Sequence, residues 1–397
     1  MIERSPHDLR KASRKAELTG VLERICQVLE LSETQHGLAR DRYEAVGAWL
    51  ADSPHPLFEG VLIYPQGSTS LGTTVRPHRQ MEHDVDLVCF LPGVSPGASP
   101  DLVKRLVGER LRANGRYKDI LVEKKRCWRI NYAGEFHLDI TPSITDPNGM
   151  AAGELVPDKD RHVWKASNPK GYKTLFERRA SLQPRLRFAK SARLEEKRDE
   201  IEPFPERMKN KGILRRAVQL AKAHRDVFFV DDPELAPISV VITTLAALSY
   251  EDCVMRFEYD NEFDLLSDVI GRMPLFIESE VLAGRRNWCV WNETTHNENF
   301  AEKWNQNPAL PEAFFRWHAR AHDALSSLDG HLGMDVLQKS LGEAFGPGPV
   351  KKAFDLMTEE VSAARASGNL LLSPVVGLNV AVNEGTRVRP NTFFGAG

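Results

Sequence analysis

The decisive stretch reads Pro65-Gln66-Gly67-Ser68 and, a short way on, His83-Asp84-Val85-Asp86-Leu87-Val88. Gly60-Val61-Leu62-Ile63-Tyr64 before it is an apolar run that predicts a buried strand, and Pro65–Ser68 predicts a strand-to-helix turn. Residues 84–91 predict a second strand, closed by Pro92-Gly93. In a strand, residues i and i+2 share a face, so Asp84 and Asp86 present two carboxylates together. Like charges held that close force one group to take a proton unless a cation lies between them. Mg²⁺, with Mn²⁺ as the alternative, favours a few carboxylates together with substrate phosphate oxygens. Most Asp-x-Asp pairs are surface turns, and Asp158/Asp160 in a Pro- and Gly-rich stretch reads as one; Asp84/Asp86 differs by opening an apolar strand.

A third acid completes the pattern. Residues 119–143 predict two strands around a turn at Ala133-Gly134, and Phe136, Leu138 and Ile140 alternate, placing Asp139 on the opposite face with His137. Three carboxylates can hold two metal ions, one activating an attacking hydroxyl and one steadying a leaving pyrophosphate, with Asp139 as general base. Gly67-Ser68 offers backbone N–H groups, a hydroxyl and a favourable dipole to phosphate, with Gln66 as a further donor.

Beyond this centre, residues 8–50 read as helical, 100–114 as an amphipathic helix and 146–170 as loop-rich. Helices are expected near 171–200, 206–229, 236–255, 263–280, 296–305 and 310–329. The expected organisation is a mixed α/β core with its N-terminal helix over 1–205, a helical lobe over 206–380 and a flexible tail over 381–397.

The 397 residues carry a net charge of −2, which excludes a nucleic-acid-coating protein, yet residues 161–216 hold 17 Lys/Arg against 7 Asp/Glu. A basic belt of that kind suits a polyphosphate or a nucleic acid; it also suits a solvated helix face. The five cysteines form no CxxC pair, which argues against a zinc ribbon or disulfide framework and for a reducing cytoplasm. No apolar run approaches the roughly 20 residues needed to span a membrane.

These residues resemble the polymerase-beta-like nucleotidyltransferases, and within them the bacterial cGAS/DncV-like enzymes of anti-phage defence (CD-NTases). Tyr64–Ser68 with Leu71-Gly72-Thr73, Asp84–Val88 and Leu138-Asp139-Ile140-Thr141-Pro142 are superfamily signals. Trp164–Tyr172, Ala217–Asp226, Pro237-Ile238-Ser239 and Glu298–Trp304 are narrower. The resemblance implies an α+β fold: a palm sheet with a C-terminal oligoadenylate-synthase-like helical lobe. It implies Asp84, Asp86 and Asp139 as metal ligands, Ser68, Lys222 and Ser239 on the triphosphate, and Asn168 and Tyr172 near a base. It further implies a cyclic di- or trinucleotide second messenger made from nucleoside triphosphates, ATP among them, in a CBASS system whose effector the product switches on. In some members a C-terminal glycine is conjugated by a ubiquitin-activating-like enzyme, and Gly397 ends this chain. Double-stranded DNA sensing is not supported, because no zinc-ribbon Cys/His cluster is present. The alternative is a template-independent transferase acting on RNA or protein, with the basic belt gripping RNA; a catalytically silent binding module is disfavoured by the intact acids.

Overall fold

The structure is a computed structural model. It describes residues 6–76, 83–132, 134, 136–158, 160, 162–186, 205, 211–282, 284–330, 333–373, 377–379 and 386–388. β1 (Leu62–Pro65), β2 (His83–Phe90), β3 (Leu121–Glu123), β4 (Trp128–Tyr132), β5 (Phe136–Thr145), β6 (Glu154–Asp158) and β7 (Val163–Ser167) make one seven-stranded sheet. Its order is β1-β2-β5-β4-β3, with β6 on the far end of β5 and β7 on β6. β2 and β5 run parallel, and the other pairs are antiparallel. The register sets Asp86 beside Asp139 and Asp84 beside His137.

The helices are α1 (Pro6–Leu29), α2 (Glu33–Ala51), α3 (Gly67–Leu71), α4 (Pro100–Arg112), α5 (Pro169–Ala180), α6 (Ile213–Phe228), α7 (Ser239–Arg256), α8 (Glu262–Gly271), α9 (Ala309–Ser326), α10 (Met334–Phe345) and α11 (Pro347–Ala366). Small strand pairs complete the described chain: β8 (Arg185–Leu186) with β9 (Glu258–Tyr259), the hairpin β10 (Glu278–Leu282)–β11 (Arg285–Cys289), and β12 (Leu371–Ser373) with β13 (Gly377–Asn379) and β14 (Thr386–Arg387). This is the α+β architecture expected.

Two apolar cores hold it. In the first, α2 (Tyr43, Val46, Leu50) and α4 (Val103, Val107, Leu111) pack against Val85, Leu87, Ile130, Leu138 and Ile140 of the sheet. Burying each such side chain contributes about 1.5–3 kcal/mol. Because the period is two, that back face forces Asp84, Asp86 and Asp139 to the front. Gly108 of α4 admits the Trp128 ring, which a Cβ there would meet at 2.2 Å, and Trp128 Nε1 donates to the Lys104 carbonyl at 2.7 Å. The second core joins α6, α7, α8, α9 and α10, and α1 packs into it through Leu18, Leu22, Ile25 and Leu29. The first helix in the chain thus serves the helical lobe.

Several local expectations are corrected. The helical region 8–50 breaks in two, because Ser32 caps α2: its hydroxyl accepts from Gln35 N, and the Gln35 side chain accepts from Ser32 N. The loop-rich stretch 146–170 holds the β6–β7 hairpin. Pro157 lies beyond the two residues that pair with β5, where the strand has a single neighbour and a missing N–H is tolerated. Asp158, read as part of a surface turn, is buried at the end of β6 beside Lys125 and Arg126. Residues 263–280 are helical only as far as Gly271 and a short 3-10 turn, after which β10 begins. Residues 296–305 form turns and a 3-10 segment (Glu302–Asn305): the Asn299 Oδ1 accepts from Val290 N and Ala301 N, replacing backbone partners.

Candidate active site

The three acids meet at the front of β2 and β5. Arg129 of β4 lies directly opposite Asp139 and forks onto it, Nε to Oδ1 at 2.6 Å and Nη2 to Oδ2 at 2.7 Å. The same Nη2 reaches Asp84 Oδ1 at 3.1 Å, so one guanidinium touches two of the acids. Asp86 sits at the turn: its carbonyl accepts from Gln66 N at 2.9 Å, and a Cβ on Gly67 would lie 2.8 Å from its Oδ2. Burial, reinforced by Asp139 and Asp84, pushes the Asp86 carboxyl up to about 7. Burial also raises Asp84, against the pull of Arg129. Among the described residues no three His, Cys, Asp or Glu side chains converge as a ready-made metal cage. The expected trio is brought to one face of the sheet, with the single Arg129 guanidinium bonded to two of its members. The trio's donors are all hard carboxylate oxygens, and the ionised form of Asp86, penalised by burial and by its acidic neighbours, is the form that a divalent cation would stabilise; the chemistry of the donor set fits Mg²⁺ or Mn²⁺.

Facing the acids is a cleft of about 520 Å³ between sheet and helical lobe. Gln66, Gly67 and Ser68 form one wall, and the Gln66 amide is anchored to Thr141 Oγ1 at 3.3 Å. Gly67 holds φ +63°, a left-handed conformation that suits glycine. Lys222 and Ser239 form the other wall. Lys222 is 4% exposed, and its Nζ lies 3.3 Å from the Thr73 carbonyl and 3.2 Å from the Thr73 hydroxyl. Burial, with Arg225 nearby, lowers its pKa to about 7. Ser239 opens the 18-residue α7, whose positive N-terminal end therefore faces the cleft.

Arg225 was not anticipated as a site residue. It lies one helical turn after Lys222 in the cleft wall, bonded to Asp226, the Pro237 carbonyl and Ser239 Oγ. Its spacing of i+3 from Lys222 was the available signal. Arg129 was also missed; it and Asp139 stand equidistant from Gly134, so the hairpin turn itself sets their pairing.

Asn168 and Tyr172 both line the cleft. Asn168 is nonetheless committed to structure: Oδ1 caps α5 through Gly171 N at 2.8 Å, and Nδ2 donates to the Ala151 and Thr294 carbonyls. A base edge that accepts from Nδ2 would have to displace one of these bonds. Tyr172 shares its hydroxyl with Thr244 Oγ1 at 2.8 Å and meets Phe300 edge-on, leaving an aromatic wall beside the cleft. Gly397, and much of the basic belt, lie outside the described residues. Of the belt's described cations, Lys165, Arg178, Arg179, Arg185, Lys211, Arg215 and Arg216 are ion-paired within the protein, with Arg178 and Arg185 still largely exposed.

Residues 62–142 match the family model of the nucleotidyltransferase domain of cyclic GMP-AMP synthase DncV-like proteins. That segment contains the turn, Arg129 and all three acids. A c-di-GMP synthase of Roseivirga ehrenbergii is 32% identical over 394 residues, spanning 97% of this chain and 99% of that protein. The chain belongs to the DncV-like nucleotidyltransferases. The CD-NTase CdnG of Bradyrhizobium diazoefficiens, solved in complex with GTP, superposes with a TM-score of 0.63 at 20% identity, over 86% of this chain and 99% of that one. Escherichia coli DncV in its 3'-deoxy GTP bound form gives 0.54 at 16% identity, over 87% and 89%. These neighbours share the fold of this CD-NTase, an enzyme of the nucleotidyltransferase class. No described helix is long and apolar enough to cross a membrane.

Proposed function

We propose that this CD-NTase joins nucleoside triphosphates into a cyclic dinucleotide at the Asp84/Asp86/Asp139 front, in a reaction that requires a divalent metal. The observation carrying this reading is the register: β2 and β5 set Asp86 beside Asp139, and Asp84 and Asp86 line a cleft whose other wall carries Lys222 and Ser239. Gln66, Gly67 and Ser68 on one side, and Lys222, Arg225 and Ser239 on the other, hold the triphosphate. The attacking sugar hydroxyl forms a new bond to the α-phosphorus, the bond from that phosphorus to the bridging oxygen breaks, and pyrophosphate leaves. Asp139 takes the hydroxyl proton, on release from Arg129. Bound divalent ions would supply acidity to that hydroxyl and charge for the leaving group. Similarity to a c-di-GMP synthase along almost the whole chain supports guanine nucleotides as substrates, in preference to the ATP expected from the resemblance alone. The anti-phage setting, a product-activated effector and conjugation through Gly397 accompany this reading as expectations from the family.

The test is incubation of the full chain with labelled GTP, alone and mixed with ATP, CTP and UTP, plus Mg²⁺. A phosphatase-resistant product with the mass of a cyclic dinucleotide is expected, and it should be absent for Asp86→Asn. Elongation of an added RNA with no resistant small product would replace the reading with the tailing alternative.

A further inference from the structure

Arg129 is the residue whose placement the chemistry described so far leaves unused. Its fork takes both oxygens of Asp139 and one of Asp84, while the side chain stays 20% exposed. A bidentate guanidinium–carboxylate pair is among the stronger polar contacts available to a side chain. It occupies the oxygens that metal coordination would need. We propose that Arg129 is an internal counter-ion that competes with the divalent metal: it offsets part of the acids' charge in the metal-free protein and must give up Asp139 and Asp84 for the ion to bind.

The inference rests on the proposed function, because it takes the three acids as the metal's ligands. Its physical content is a competition of charges. Without metal, the guanidinium offsets part of the repulsion among Asp84, Asp139 and the partly buried Asp86 between them and the turn. With metal, the same cation faces an incoming positive charge and weakens its binding. The long, flexible stem of Arg129 allows the head group to swing away, whereas Asp86, pinned by the Gly67 turn, stays in place. The Trp128 ring, locked under Gly108, keeps β4 itself from moving with it. A sheet-stabilising salt bridge with no part in metal binding is the competing account.

The two accounts separate on binding, without turnover. Mn²⁺ alone is titrated into the full chain and followed by electron paramagnetic resonance and calorimetry, for wild type, Arg129→Gln and Arg129→Lys. Arg129→Gln should bind Mn²⁺ about tenfold more tightly, the scale expected when a repelling positive charge a few ångströms from the ion is removed at a partly exposed site. Its melting temperature in EDTA should fall, and added Mn²⁺ should restore it by more than in wild type. Arg129→Lys keeps the charge but loses the fork, and should lie between the two; it also covers the case in which the glutamine variant does not fold. Unchanged or weaker Mn²⁺ binding in the folded variants would overturn the inference while leaving the metal site intact. Absence of Mn²⁺ binding by wild type, equal to that of Asp86→Asn, would instead overturn the underlying reading of the acids.

Discussion

Lys222→Met is expected to make the nucleotide-free protein more stable at low pH while destroying its grip on substrate. Lys222 is almost fully buried in α6, and its pKa falls from 10.5 to about 7 because burial penalises the ammonium. At roughly 1.36 kcal/mol per pH unit, that gap amounts to a penalty of about 5 kcal/mol when the folded protein must carry the charge. The sign follows from proton counting. Between pH 7 and 10.5 the unfolded chain binds the proton that the folded chain has lost, so stability rises with pH across that window, and the full penalty applies below about 7. Removing the amine also leaves the buried Thr73 carbonyl and hydroxyl without their donor, which costs about 1–3 kcal/mol. The variant should therefore gain about 2–4 kcal/mol at pH 6, with the gain gone near pH 9, where the remaining penalty has shrunk to the size of the lost hydrogen bonds. Urea denaturation of both proteins at pH 6, 7, 8 and 9 measures this directly. Nucleotide should reverse the balance in wild type: a triphosphate beside Lys222 restores its charge, so binding at pH 8 takes up close to one proton, seen by calorimetry in buffers of differing ionisation enthalpy. Parallel stability profiles for the two proteins, or a variant no more stable at pH 6, would refute the reasoning.

Three further outcomes are expected. Asp86→Asn should cut product formation about 10²–10³-fold or more, as loss of a main electrostatic contact does; because its carboxyl is raised to about 7, the penalty it removes is present above pH 7 and absent below about 4, so melting in EDTA should show a gain at pH 8 and none at pH 4. Gly67→Ala forces a side chain into φ +63°, worth about 1–2 kcal/mol, and aims its methyl at Asp86 Oδ2, so nucleotide affinity and turnover should fall far more than the melting temperature. Gly108→Ala gains about 1 kcal/mol of helix propensity, but its methyl would sit 2.2 Å from the Trp128 ring; overpacking of about 3 kcal/mol should win, lowering the urea midpoint and loosening the strand that carries Arg129.

The sheet was legible because its residues answer to a single rule. Val85, Leu87, Leu138 and Ile140 alternate with Asp84, Asp86 and Asp139, and a period of two allows only one placement of acids once the apolar set is buried. The cleft's far wall was legible only through resemblance: Lys222 sits in a helix whose inward face holds so many apolar residues that a lysine among them looks like one more solvated cation. What stayed hidden depended on pairs distant in sequence or on side chains acting as backbone. The β6–β7 hairpin was masked by Pro157, whose tolerance is decided by where β5 stops pairing, and the 296–305 turns by Asn299 satisfying three main-chain groups. Much of the basic belt lies outside the described residues. Its charge excess is real in the sequence, yet most glutamates that pair with a described member, such as Glu30, Glu251, Glu262 and Glu293, come from outside the stretch, while Arg215 pairs with Glu177 inside it. Local charge density therefore overstates a binding surface whenever folding supplies partners from elsewhere, whereas a catalytic acid pair survives the same scrutiny. Asp84 and Asp139 also find a partner in Arg129, but a single, partly exposed guanidinium is a partner that another cation can replace.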